Sequence, residues 1–151
     1  MLQKIKNALI SVSDKDELSL VLKTLKRYNV RIISSGGTYK SIKKLGYNCT
    51  EISKYTGFNE MLDGRVKTLH PKIHAGILHD RSNKKHKKEM NNQNFPSLDL
   101  IIVNFYPFQK IVTSSSNQKK IIENIDIGGP TMVRAAAKNF KNVLIVTNKK
   151  D

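Results

Sequence analysis

The chain is poor in cysteine, tryptophan and acid. Its one cysteine, Cys49, excludes an internal disulfide and a Cys-rich metal site, and suits a reducing compartment. No run approaches the roughly eighteen apolar residues that a helical membrane span requires. The basic start, Met1 to Asn7, is followed by too few apolar positions before Asp14 to form a signal-peptide core, so a cytoplasmic protein without a membrane partner is expected. Asp and Glu number 12 against 27 Lys and Arg, a formal net charge of +15. Only five of those cations are arginine, Arg27, Arg31, Arg65, Arg81 and Arg134. The densest run, Lys84-Lys85-His86-Lys87-Lys88, has no aromatic before Phe95 on which a base could stack. The excess therefore reads as lysines on solvated faces, and no nucleic-acid partner is expected.

What is present suffices for one domain: 151 residues, 38% of them hydrophobic. Ala8 to Val12 and Val30 to Ser34 are short apolar, β-branched runs. Between them Asp14 is placed to cap a helix carrying Leu18, Val21, Leu22 and Leu25 at helical spacing. Tyr39 to Leu45 predicts a second helix, closed by Gly46. A weaker strand is expected within Cys49 to Ile52, and a helix over Pro71 to Leu78 with proline in its first turn. His79 to Ser97 is polar surface, and Leu98 to Asn104 is the clearest buried strand. A brief helix follows at Gln118 to Asn124. Gly128-Gly129-Pro130 precedes a helix holding Ala135, Ala136 and Ala137, and Val143 to Thr147 is a last strand. Strands alternating with helices predict an α/β fold, a mainly parallel sheet with helices on both faces. Ligands of such sheets bind at the carboxyl ends of the strands, here Ser11 to Lys15, Ser34 to Thr38 and Asn104 to Pro107.

Three stretches can carry chemistry. Ser35-Gly36-Gly37-Thr38 lies between strand and helix, where backbone N–H groups cradle an anion, although paired glycines also serve as plain turns. Gly64 to Pro71 gathers Arg65, Lys67, Thr68 and His70 with no acid nearer in sequence than Asp63. It reads as a grip for an anionic ligand or as a solvated basic loop. Lys67 and Lys138 are acid/base candidates if the fold brings them together. Asp126 reads as a cap, and Tyr106 as a phenolic donor or as a packing partner of Phe105 and Phe108. His70, His74 and His79 lack the glutamate of a zinc-protease motif, and no metal site is expected.

Read in order, Ser-Val-Ser-Asp-Lys at 11 to 15, Ser-Gly-Gly-Thr at 35 to 38, the long stretch from Thr56 to Leu78, Asn-Phe-Tyr-Pro-Phe at 104 to 108, Ile-Asp-Ile-Gly-Gly-Pro at 125 to 130 and Arg-Ala-Ala-Ala-Lys-Asn at 134 to 139 closely resemble the inosine monophosphate (IMP) cyclohydrolase domain. That domain is the N-terminal part of the bifunctional purine-biosynthesis proteins whose C-terminal part is aminoimidazole carboxamide ribonucleotide (AICAR) formyltransferase. Phe105 stands where the family usually has leucine, and Ala75 where many bacterial members have glycine. The resemblance implies a methylglyoxal-synthase-like fold, and closure of 5-formamido-AICAR ribonucleotide to IMP without a cofactor. It further implies a purine nucleotide as the ligand and a homodimer as the assembly. By motif matching it implies Lys67, Tyr106, Asp126 and Lys138 as the catalytic set. Ser13, Asp14, Lys15, Ser35, Gly36, Gly37, Thr38, Arg65, Val66, Thr68, Asn104, Ile127 and Gly128 would hold the nucleotide. The family's domain runs on past residue 151, so an N-terminal fragment lacking the formyltransferase is expected. A non-catalytic phosphate-binding module of the same fold and methylglyoxal synthase itself are the alternatives.

Overall fold

A computed structural model describes residues 4–148, so Met1 to Gln3 of the basic start lie outside the described residues. Five parallel strands form one sheet in the order β3-β2-β1-β4-β5: β1 Asn7–Ser11, β2 Arg31–Ser34, β3 Thr50–Glu51, β4 Leu100–Val103 and β5 Leu144–Val146. Leu9 pairs with Ile33 on one side and Ile101 on the other, and Ile101 with Ile145, so one row of side chains crosses the sheet. Since successive residues of a strand face opposite ways, both faces are apolar and both need cover.

That cover follows from the direction in which the chain winds. From β1 it moves outward through α1 (Leu18–Arg27), β2 and α2 (Gly36–Lys44) to β3, then crosses back to β4 and winds the other way to β5. Right-handed crossovers therefore place α1 and α2 on one face. There Leu18, Leu22, Leu25 and Ile42 pack on Ala8, Ile10, Ile32 and Leu100. The other face receives α3 (Ile52–Thr56), α4 (Pro71–Leu78) and α8 (Gly128–Lys138), whose Ile52, Tyr55, Ile73, Ile77, Met132, Ala135 and Ala136 cover Leu9, Ile33, Ile101 and Val103. Alanines at Ala135 and Ala136 let α8 approach α4 and the sheet closely. The α5 helix (Lys84–Asn92) carries the lysine run, with only Met90 buried. The helices α6 (Phe108–Ser114) and α7 (Gln118–Glu123) bury no residue at all.

At the amino ends of the strands a polar clamp joins β1 to β4. Buried Asp99 accepts the Lys6 and Asn7 N–H groups at 2.7 and 2.8 Å and pairs with Arg81 at 2.9 Å. Arg81 also donates to the Leu98 carbonyl at 3.0 Å. At the opposite, carboxyl ends, strand order reverses between β1 and β4, the place where open sheets of this kind seat their ligands.

Several expected boundaries move. Asp14 does not cap α1; its carboxylate accepts the Asp16 N–H at 2.9 Å in a local turn, and α1 begins after Glu17, at φ 62°. The Gly36-Gly37 pair is not a loop before α2 but its first turn. Gly128-Gly129-Pro130 likewise opens α8 from within. The helix over Pro71–Leu78 stands where expected, and His70 caps it by accepting the Lys72 N–H on Nδ1 at 3.1 Å.

Candidate active site

A cleft of about 650 Å³ opens over the carboxyl ends of β1, β2 and β4, a size suited to a small ligand. Its floor is the start of α2. Ser35 is extended and gives the helix no side-chain cap, so the first-turn N–H groups of Gly36, Gly37 and Thr38 have no partner within the helix. Gly36 sits at φ 53°, a conformation that disfavours any residue with a Cβ. Two ammonium groups hang over this turn. A Cβ on Gly36 would stand 3.3 Å from Lys67 Nζ, and one on Gly37 would stand 3.9 Å from Lys15 Nζ. Unpaired N–H groups, the positive end of a helix and two cations make one anion cradle.

The hydroxyl and amide at the cradle also hold the protein together. Buried Thr38 donates its hydroxyl to the Val12 carbonyl at 2.9 Å and accepts the Val12 N–H at 3.1 Å, tying α2 to the end of β1. The Asn104 Oδ1 accepts the Ser13 and Asp14 N–H groups at 2.5 and 3.0 Å, while Nδ2 donates to the Asp14 carbonyl at 2.8 Å. Asn104 thus fixes the β1–α1 loop that carries Lys15.

The second wall is the segment from Gly64 to His70, and it meets the start of α8. A Cβ on Gly128 would overlap the Thr68 hydroxyl, and one on Gly129 would lie 2.6 Å from Asp126 Oδ2 and 3.1 Å from the Phe105 ring. Only glycine permits this approach. Asp126 Oδ1 accepts the Gly129 N–H at 2.9 Å, so its second oxygen stays at the cleft wall. Tyr106 lines the cleft and is half exposed, and Phe105 and Phe108 are exposed too, so the three form no buried aromatic cluster.

The cations of the basic segment have acids that sequence distance hides. Lys67 Nζ lies 3.5 Å from Glu60. Arg65 donates from Nε and Nη2 to the two oxygens of Glu123, at the end of α7 and 58 positions away. The hydrogen bond from Arg65 holds the Glu123 carboxyl below its ordinary range, and the same bond raises the guanidinium. Apart from its basic neighbours, Glu123 carried no sequence signal. The histidines are occupied by backbone. His70 caps α4, His74 Nδ1 lies 3.4 Å from the His70 carbonyl, and His79 meets the Ala75 carbonyl at 3.0 Å and Ser97 Oγ at 3.1 Å. Among the described residues no group of three or more His, Cys, Asp or Glu is placed to hold a metal.

Of the expected site residues, Ser13, Lys15, Ser35, Gly36, Gly37, Thr38, Arg65, Lys67, Thr68, Asn104, Tyr106, Asp126, Ile127 and Gly128 line this one cleft. Three do not. Asp14 faces a smaller neighbouring groove beside α1, and Val66 pairs with Met61 in an isolated bridge. Lys138 is the exposed last residue of α8, ten positions beyond Gly128 and so about 15 Å along the helix axis. Of the two acid/base candidates, Lys67 lines the cleft and Lys138 is not among its lining residues. The lysine run of α5 also lies off the cleft.

A doubly wound parallel sheet with a cleft at the strand-order reversal defines an open α/β class. Within it, the profile of the MGS-like domain matches residues 17–131, and the chain belongs to that family. The bifunctional purine biosynthesis protein PurH of Clostridium perfringens is 53% identical over 146 residues, covering 97% of this chain and 29% of that protein. PurH of Acetivibrio thermocellus is 50% identical over 148 residues with the same coverage. The chain spans under a third of the length of these relatives, corresponding to their N-terminal region. The crystal structure of ForH superposes with a TM-score of 0.80 at 31% identity, covering 94% of this chain and 74% of that one. No helix among the described residues is long and apolar enough to cross a membrane.

Proposed function

We propose that this domain is an IMP cyclohydrolase, closing 5-formamido-AICAR ribonucleotide to IMP with loss of water. The observation that carries the reading is the meeting of Lys67, Tyr106 and Asp126 with the anion cradle of α2 in one cleft. The purine context comes from the PurH relatives. A ribonucleotide phosphate on the N–H groups of Gly36, Gly37 and Thr38, beside Lys15 and reached by Arg65 from the same cleft, leaves the base to extend toward Tyr106 and Asp126.

The chemistry asks first for position. A carboxamide nitrogen is a weak nucleophile because its lone pair is delocalised, and holding it against the formyl carbon removes a large part of the barrier. As the new C–N bond forms, negative charge collects on the former formyl oxygen, where the Lys67 ammonium and the Tyr106 hydroxyl stabilise it. The free oxygen of Asp126 takes an N–H of the carboxamide and orients it. The carboxamide nitrogen gives one proton to the oxyanion, the resulting hydroxyl takes a second and leaves as water, and the formamido nitrogen gives up its N–H as the ring C=N bond of hypoxanthine forms. Lys67 or Tyr106 supplies the proton to the departing oxygen, since Lys138 stands at the far end of α8. The assembly proposed is a homodimer.

The test is formation of IMP from synthetic 5-formamido-AICAR ribonucleotide. The parent turns over, while Lys67→Ala falls at least about 100-fold, as removal of one charge stabiliser does elsewhere. Lys138→Gln leaves the shape of the pH–rate profile unchanged. Parent-like turnover in a folded Lys67→Ala variant overturns the assignment. IMP binding without any turnover favours the non-catalytic module of the same fold.

A further inference from the structure

The cations that line the cleft are already engaged by the protein. Lys15 Nζ donates to the Ser13 carbonyl at 3.1 Å, Lys67 faces Glu60, and Arg65 is gripped on two donors by Glu123. The first two contacts join near neighbours in sequence. The third joins the 64–71 segment to α7, and both of its partners line the cleft. Glu123 presents two oxygens to the edge of the guanidinium, the same geometry in which arginine receives a phosphate. The α7 helix buries no residue and neighbours α6, which buries none either, so α7 lacks a buried anchor of its own and this ion pair ties it to the 64–71 segment.

We propose that Glu123 is a specificity-determining residue of the cleft: its carboxylate competes with the ligand for Arg65, and a phosphate monoester takes Arg65 over by exchange, releasing α7 from the 64–71 segment. The inference rests on the nucleotide reading above. Arg65 uses Nε and Nη2 on Glu123, so that edge of the guanidinium becomes available to a phosphate only when the carboxylate leaves. A monoester dianion carries more charge than a carboxylate and offers three acceptor oxygens, whereas an uncharged nucleoside has nothing to exchange. The pair is well exposed, with side-chain exposures of 64% and 51%. Solvent therefore screens both charges, and an incoming anion reaches the pair without unburying either partner.

The experiment compares the parent with Glu123→Gln and Arg65→Gln. Dissociation constants are measured by calorimetry for IMP and for inorganic phosphate, and amide hydrogen exchange over 118–126 is followed with and without each probe. Competition predicts that Glu123→Gln binds both probes about twofold to fivefold more tightly, the range an exposed ion pair allows. It predicts faster exchange in α7 for both variants, and faster exchange in the parent on adding either probe. Slow exchange across β1 in every variant shows that the fold is kept. Unchanged or weaker binding by Glu123→Gln overturns the proposal, since a merely orienting carboxylate would give that result. Unaltered α7 exchange in both variants overturns it too. Phosphate binding with these responses but no IMP binding sinks the nucleotide reading alone, and binding of neither probe sinks both.

Discussion

The Asn104 amide makes three hydrogen bonds to the loop that follows β1, and that loop carries Lys15 to the cradle. Motif matching places Asn104 among the nucleotide contacts, but its geometry makes it a positioning residue whose effect on a ligand passes through Lys15. Asn104→Ala is expected to cost about 1–3 kcal/mol of stability, as two backbone N–H groups lose their acceptor, and to weaken phosphate binding. Parent phosphate affinity in calorimetry for a folded Asn104→Ala variant contradicts the account. The same scale explains why Glu123 was illegible in the sequence. Its partner Arg65 is 58 positions away, and no local pattern reports a pairing that tertiary structure creates. Lys138 teaches the reverse. Ten positions of continuous helix separate it from Gly128, so the predicted helix already contained the distance that keeps them apart.

Among the elements, α8 shows how backbone shape sets the site. Its first turn touches Thr68 and folds back on Asp126, contacts only glycine allows at both Gly128 and Gly129. Gly128→Val is expected to push that turn off Thr68, costing about 1–3 kcal/mol through overpacking and lowering affinity for IMP. Calorimetry showing parent affinity in a folded Gly128→Val protein would contradict this. Helices with a long apolar period were readable, as Leu18, Leu22 and Leu25 show for α1. The five residues of α3 are too few to display a period, and α6, with Ile111, Val112 and Thr113 in succession, has the composition of a strand. Its helical state gains nothing from burial, which is the signal that sequence patterns detect. Glycine pairs misled in one direction, reading as loops where they form first turns that bring backbone N–H groups to the cleft.

For the whole molecule, stability and function reside at opposite ends of the same sheet. At the amino end, partly exposed Arg81 pairs with buried Asp99; Arg81→Met leaves the carboxylate with its two backbone N–H donors alone and is expected to cost about 1–3 kcal/mol in chemical denaturation. An undiminished unfolding midpoint would show that the clamp is dispensable. Nearby, burial holds the His79 imidazole below its ordinary value, with Nδ1–H on Ala75 and Nε2 accepting from Ser97. The neutral ring is therefore favoured in the folded state, and the unfolded chain binds more protons at mildly acid pH. That contribution to stability is complete above the ordinary imidazole pKa of about 6.5 and is lost as pH falls below it. His79→Gln should flatten the fall in melting temperature between neutral and acid pH, and an equally steep fall would exclude His79 as its source. At the carboxyl end lies the central claim, that the cleft seats a nucleotide with its phosphate on the first turn of α2. The most direct measurement is an amide-resolved NMR titration of the 151-residue chain with IMP. The account predicts the largest shifts at the N–H groups of Gly36, Gly37 and Thr38, saturating together with those of Gly128 and Gly129. Shifts centred instead on the lysine run from Lys84 to Lys88, with Gly36 to Thr38 unmoved, would contradict it.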